Sequence, residues 1–426
     1  MKAALKFLKK LKSTVFNSIA FYPVLISVAF FILATTLLFI EHLEIINTFK
    51  EKVPFLIVQD HETARTILST LFGGILSLTV FSFTMVMVVL NQASTNFSPR
   101  LLPGLISNKK HQIILGFYIG TLLYTIIILM SLGAYGSSEN AIGFSVMISA
   151  VLGAICIGLF VYFIHSISQA IQIHNIINNI FSTSRKLLEK EKKKQSNTWN
   201  IDTKTSNTNW KTISCNKTGY YRSFDISLLE NKLKEEKYTI EIIPYSDQHV
   251  WKGESIFRIK EPISESDIKS LQLCLYILSN RHDDNSSVGG MIKLTEVAVK
   301  ALSPGVNDPG TAINAISKLG QLLAEAFQIQ PKTFEKIPNC NIQLIHNTIS
   351  ANELIRIVIQ PIREYAKTDS AVAYELMSAL LHIWNTKQIC TEYITVVSNE
   401  IKALESDLKM NIKNNQDLKR ILELIE

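Results

Sequence analysis

The chain has 426 residues and five cysteines, none of them in a CxxC pair, so neither a disulfide framework nor a cysteine zinc site is expected. Reduced thiols would suit a cytosolic C-terminal half. The formal net charge of +7 is clustered at Lys2, Lys6, Lys9, Lys10 and Lys12, and again at Arg185, Lys186, Lys190, Lys192, Lys193 and Lys194. Each cluster flanks an apolar run, where it acts as a topology signal and a contact for anionic membrane lipids. No aromatic-interleaved basic face accompanies them, so nucleic acid is not expected as a partner.

Met1–Lys12 has lysines on one face and leucines for another, which fits a short interfacial helix. Phe21–Ile40 follows as the first membrane span, with Pro23 in its first turn, where proline costs little. The run is too long for a cleaved signal sequence and ends in no small-x-small site. In the loop Glu41–Arg65, Asp60-His61-Glu62 could hold a metal, but the plainer reading makes Asp60 the N-cap of the next helix.

Three further runs without Asp, Glu, Lys or Arg follow: Thr66–Leu90, Ile113–Ala134 and Ile142–Phe163. Each exceeds the roughly 20 residues a helix needs to cross hydrocarbon. The second span is polar without charge, carrying Thr70, Gly73, Ser77, Thr79, Ser82 and Thr84, and should run on past Asn91 and Gln92. Gly73/Ser77, Gly116/Gly120 and Ala150/Ala154/Gly158 are small residues at four-residue spacing, which lets helix backbones approach closely. That approach serves packing within one subunit or between subunits. The N-tail, the loop Asn91–Gln112 and the tail after the fourth span hold five, three and six Lys/Arg. Both termini are therefore expected in the cytoplasm.

His165–Lys192 has no Gly or Pro and should continue the fourth span as a stalk. At 100° per residue it places His165, Gln169 and Gln172 on one face. This polar stripe either lines an aqueous vestibule or is the solvated face of an amphipathic helix.

A membrane block of roughly 165 residues leaves room for one or two soluble domains. The expected division is a transmembrane domain with stalk over 1–183, a linker over 184–210, a small β-rich domain over 211–262 and a mainly helical domain over 263–426. Ser196–Asn209 is the Asn/Thr/Ser-rich part of that linker. Lys211–Ile226 and Tyr238–Lys260 alternate and carry β-branched and aromatic residues, so they read as strands of a small β-barrel or sandwich, with Asp225–Lys237 a short helix between. Helices follow at Ile268–Ser279 after a capping Ser264, at Val288–Leu302 and from Pro309 to about Phe327. Others are expected at Asn352–Ala366, divided or kinked by Pro361, and at Ser370–Asn385, Cys390–Asn411 and Gln416–Ile425. The fold class is an α-helical membrane domain of about four transmembrane helices plus a cytosolic α+β domain.

Three segments resemble one known family. They are Asn96-Phe97-Ser98-Pro99-Arg100-Leu101-Leu102, Leu115-Gly116-Phe117-Tyr118-Ile119-Gly120, and the run from Ala301 to Ala312 containing Ser303-Pro304-Gly305-Val306-Asn307-Asp308-Pro309. Together they resemble the bacterial membrane proteins of domain-of-unknown-function family 2254, over nearly the whole chain. The resemblance implies a multi-pass protein of the bacterial inner (plasma) membrane and supplies no reaction.

The turn Ser303, Pro304, Gly305, Asn307, Asp308, Pro309 is the leading candidate site in the second half. It is either an anion site at a helix N-terminus or a capped interhelical turn buried against the β-domain, in which Pro304 fixes φ and Gly305 permits φ > 0. Ser98, Pro99 and Arg100 form the membrane-loop motif. Arg281-His282-Asp283-Asp284 is a polar loop. No P-loop, dinucleotide fingerprint, HExxH or nucleophile elbow is present, and no cofactor or catalytic residue is assigned. The spans hold Ser, Thr and Gly rather than buried carboxylates, which disfavours proton-coupled pumping. The sequence thus points to a self-associating protein, either a channel-like pore with a cytosolic regulatory domain or a non-conducting sensor or scaffold. A membrane-bound enzyme ranks third. The expected partners are lipids, further copies of the chain, and an ion or small ligand.

Overall fold

The computed structural model describes residues 18, 20–41, 46, 57–58, 60–96, 109–134, 143–170, 172–196, 210–229, 231–281, 286–336, 340–387, 389 and 391–425. The expected interfacial helix Met1–Lys12 lies outside them. The chain divides into two units, Met1–Gln172 and Ile173–Glu426.

The first unit holds α1 (Phe21–Ile40), α2 (His61–Asn96), α3 (Lys109–Ala134) and α4 (Gly143–Ala170), all long and apolar enough to cross a membrane. Each apolar run of the sequence becomes one helix, and α2 runs past Gln92 as expected. Asp60 caps α2, accepting from Thr63 N at 2.8 Å and from the Thr63 hydroxyl at 2.6 Å. Helix α3 is the central element and packs against α1, α2 and α4. Gly116 and Gly120 make this close approach to α1: an added Cβ would lie 2.9 Å from Pro23 Cα and 2.8 Å from Phe30 Cγ.

Glu41 directly follows α1 and is only 2% exposed. Its carboxylate accepts from Phe144 N at 2.9 Å, from Ser145 N at 3.3 Å and from the Ser145 hydroxyl. A residue about a hundred positions away thus supplies the acceptors that the start of α4 lacks. The negative charge also suits the positive end of the helix dipole. Tyr124 of α3 donates its hydroxyl to Ser145 O at 3.1 Å, so three helices meet at this point.

The continuous stalk expected over His165–Lys192 is replaced by two helices. Helix α4 ends at Ala170 and α5 spans Ile173–Ser196, with Gln172 outside both. Ile167 is buried in the core of the first unit, whereas Ile176 and Ile177 are buried against α8 (Ser287–Ala301) and α9 (Pro309–Ala326). Residues 184–196, expected in a linker, are the last turns of α5; the remainder, 197–209, lies outside the described residues.

The second unit builds two sheets. Strands β1 (Lys211–Ser214), β2 (Gly219–Phe224), β3 (Thr239–Ile242), β4 (His249–Val250) and β5 (Ser255–Ile259) fall where alternation predicts, with α6 (Asn231–Glu235) between β2 and β3. Ser264 caps α7 (Glu265–Leu273) as expected, but the helix stops early and β6 (Leu275–Leu278) pairs antiparallel with β2. Two unanticipated strands, β7 (Lys332–Lys336) and β8 (Gln343–Asn347), complete the larger sheet. Its order is β1-β5-β3-β8-β7, with β3 and β8 parallel; the smaller sheet is β4-β2-β6. Neither sheet closes on itself, so the barrel is not formed. The two open sheets share one core, with Tyr221 and Leu275 from the smaller and Ile240, Ile256 and Phe257 from the larger. Because β6, β7 and β8 come from beyond residue 262, the strand pairing crosses the boundary expected there.

The remaining helices are α10 (Ala351–Val358), α11 (Gln360–Ala366), α12 (Ser370–Trp384), α13 (Thr391–Asn411) and α14 (Asn415–Leu422). Pro361 sits at the start of α11 and divides it from α10, as its missing N–H requires.

Glu41→Ala should lower the melting temperature of the full chain in mild detergent. It leaves the Phe144 and Ser145 N–H groups without this acceptor, at about 1–3 kcal/mol per buried group. Glu41→Gln keeps one acceptor oxygen and should recover part of the loss. Unchanged melting of Glu41→Ala would show that the contact does not hold α4.

Candidate functional site

The first unit presents two outward faces of small and hydroxyl-bearing residues. On α2, Thr66, Thr70, Gly73, Ser77 and Thr84 fall within an arc of roughly 60° at 100° per residue. All five are exposed. The hydroxyls of Thr66, Ser77 and Thr84 donate to carbonyls one turn back, to Glu62 O at 2.8 Å, Gly73 O at 2.9 Å and Val80 O at 2.9 Å. Their protons are therefore committed to the helix, and lone pairs remain for the outside. A Cβ at Gly73 would meet nothing within 4 Å.

On α4, Ala150, Ala154 and Gly158 are also exposed. Continuing along the same helix face, His165 and Gln169 lie within an arc of roughly 100° with them. Both are exposed, and their side chains meet at 3.3 Å. Gln172 does not share this helical face, because α4 has already ended. Of the three small-residue rows in the sequence, Gly116/Gly120 is used inside the unit, while Gly73/Ser77 and Ala150/Ala154/Gly158 point outward.

The turn after α8 is ordered by its own hydrogen bonds. Val306 N and Asn307 N both donate to Ser303 O at 3.0 Å, Asp308 N donates to Ala301 O at 2.8 Å, and the Ser303 hydroxyl donates to Lys300 O at 2.6 Å. Asp308 caps α9, accepting from Thr311 N at 3.0 Å and the Thr311 hydroxyl at 2.6 Å. One expectation is corrected here. Pro304 to Asp308 are exposed rather than buried against the β-layer. The left-handed conformation in the turn is taken by Asn307, at φ 49°. Asparagine tolerates that region because its short amide can bond locally. The Asp308 carboxylate itself occupies the positive end of α9.

The membrane-loop motif Ser98, Pro99, Arg100 lies outside the described residues, as do His282, Asp283 and Asp284. No group of three His, Cys, Asp or Glu positioned for a metal occurs among the described residues. The sequence reading missed Glu41. Its only local signal is a lone carboxylate directly after an apolar run.

The model of the family described as predicted membrane protein (DUF2254) matches residues 17–382. Among curated proteins, uncharacterized proteins of Mycobacterium bovis and of Mycobacterium tuberculosis strain H37Rv are each 24% identical over 260 residues. The matched part is 59% of this chain and 48% of theirs, so the chain spans about half the length of the curated relatives it matches. No solved structure matches the chain.

Asp308→Ala should cost the full chain about 1 kcal/mol through loss of the N-cap. The Thr311 hydroxyl and N–H hold the Asp308 carboxyl below the ordinary aspartate value of 3.8. A lowered carboxylate value stabilises the fold above the unfolded value, and the contribution is lost as pH falls through the folded one. Asp308→Asn should keep most of the cap at neutral pH and remove that acid-side loss in thermal melts. Equal acid sensitivity in both proteins would count against this assignment.

Proposed function

The chain belongs to the DUF2254 family of predicted membrane proteins, and on that premise we propose that it self-associates in the bacterial inner membrane and forms a channel-like path. Both termini lie in the cytoplasm in this reading, and Ile173–Glu426 is the regulatory part. The observation that carries the reading is the outward α2 face. A helix surrounded only by lipid gains nothing from a row of hydroxyls and glycine along its length. A helix beside water or a second backbone does. With their protons committed to the helix, the hydroxyls of Thr66, Ser77 and Thr84 offer acceptors, which suits the passage of a weakly held cation. The Ala150/Ala154/Gly158 row supplies the close contact between copies, and His165 and Gln169 extend that face to the cytosolic mouth.

The sensor or scaffold reading draws on the same hydrogen bonds. Because each of these three hydroxyls is satisfied by its own helix, the α2 face could also rest against another helix with no water path.

Planar-bilayer recordings of single-cysteine variants separate the two. A water-soluble thiol reagent should block current through Ser77→Cys and Thr84→Cys and leave Phe83→Cys unaffected, since Phe83 lies about 100° around α2 from Thr84. Conductance insensitive at Ser77 and Thr84 would remove this face from the path. An absence of conductance in the unmodified protein would favour the scaffold.

A further inference from the structure

A cavity of about 160 Å³ lies wholly within the second unit, walled by α5, the start of α8, the end of α9, β8, α10 and α13. An apolar cavity of roughly 150 Å³ accepts benzene, so there is room for one six-membered ring. Most of the wall is apolar. Leu188, Ile329 and Leu354 are buried in it, and Phe327 and Tyr393, also buried, pack together with ring centres 5.1 Å apart.

The polar groups of the wall are mixed in kind and balanced in sign. The Asn347 amide nitrogen donates to Ile242 O at 2.9 Å and the Thr348 hydroxyl to Pro331 O at 3.0 Å, so both side chains keep oxygen lone pairs to offer. The Ser286 hydroxyl accepts from Gly289 N at 2.9 Å and keeps its proton, and the Tyr245 hydroxyl can donate as well as accept. Ser287 and Val288, whose N–H groups open α8, line the cavity together with Ala326 and Phe327 at the carboxyl end of α9. These helix ends bring partial charges of opposite sign, so an ion of either sign gains from one and loses to the other. Glu191 is the one charged residue among the described lining residues. It is exposed, and the Ser287 hydroxyl already donates to it at 3.0 Å.

We propose that this cavity is a binding site for a small neutral aromatic molecule carrying one hydroxyl or amide group, with its ring against the apolar and aromatic wall and its polar end meeting a donor and an acceptor. A hydroxyl or amide uses both kinds of group. An anion finds no cationic side chain among the described lining residues. A cation finds only a carboxylate that water and Ser287 already answer. Either ion would give up solvation that this wall does not return. The occupant touches Leu188 of α5, the helix that follows the last membrane helix in the chain. Such a ligand would give the regulatory part proposed above its signal, while binding itself is measured without any current, so either can fail alone.

Isothermal titration of the full chain in mild detergent tests this with three probes of one shape: benzyl alcohol, benzylammonium and benzoate. Benzyl alcohol should bind at least about tenfold more tightly than either ion, because an unpaired charge costs several kcal/mol to desolvate. Glu191→Gln, which keeps an acceptor for Ser287, should leave the affinity for benzyl alcohol unchanged. Ser246→Trp, at an exposed position in the wall, and Ala326→Leu, which fills the cavity from another side, should each abolish binding. Heat that remains in both variants is uptake by the detergent. Benzylammonium or benzoate binding as tightly as benzyl alcohol would overturn the proposal. So would a Glu191→Gln protein that no longer binds benzyl alcohol, or a wild-type chain whose heat is matched by both filled variants.

Discussion

The first N–H groups of a helix have no partner one turn back, and at a membrane there is little water to supply one. Glu41 answers this need for α4. It brings two carboxylate oxygens to the Phe144 and Ser145 N–H groups from the end of α1. Once that contact and the Tyr124 hydroxyl bond are made, α1, α3 and α4 are fixed at one end. Gly116 and Gly120 then close α1 onto α3 along their length. The faces of α2 and α4 that remain outward follow from this arrangement, because α3 already occupies their inner sides.

The second unit solves the same problem mostly with local caps. Ser264, Ser286, Asp308, Ser350, Asp369 and Asn414 each accept from an N–H two or three residues on. Glu191 adds a distant carboxylate beside the start of α8, through Ser287. Buried charge in this unit is paired. Arg363 meets Glu400 and Asp407, each at 2.9 Å, and Glu241 in the centre of the larger sheet meets Lys332 at 2.7 Å. Breaking such a pair by removing one partner leaves a charge in a poor solvent and destabilises the fold.

Features set by neighbouring residues were legible in the sequence. The four spans, the caps at Asp60, Ser264 and Asp308, and the division at Pro361 all follow from residues within a few positions of one another. Features set by distant partners were not. Glu41 caps a helix about a hundred residues away. The strand β6 forms because β2 offers it a ladder, although the same residues continue a helical pattern. The strands β7 and β8 are short and polar on one side, so alternation alone marks them weakly. The end of α4 at Ala170 and the start of α5 at Ile173 carry neither Gly nor Pro to mark them in the sequence. The small-residue rows were visible, but only packing shows that Gly116/Gly120 is used within the unit while the rows on α2 and α4 are left outward.

The outward row on α4 carries the central claim, that other copies of the chain cover it in the membrane. The direct measurement is the mass of the full chain extracted into lipid nanodiscs without prior detergent dispersal, read by native mass spectrometry. The account predicts an integral multiple of the 48.0 kDa chain, reduced towards the single chain by Gly158→Leu. A single chain at every concentration, in the wild-type protein, would contradict it.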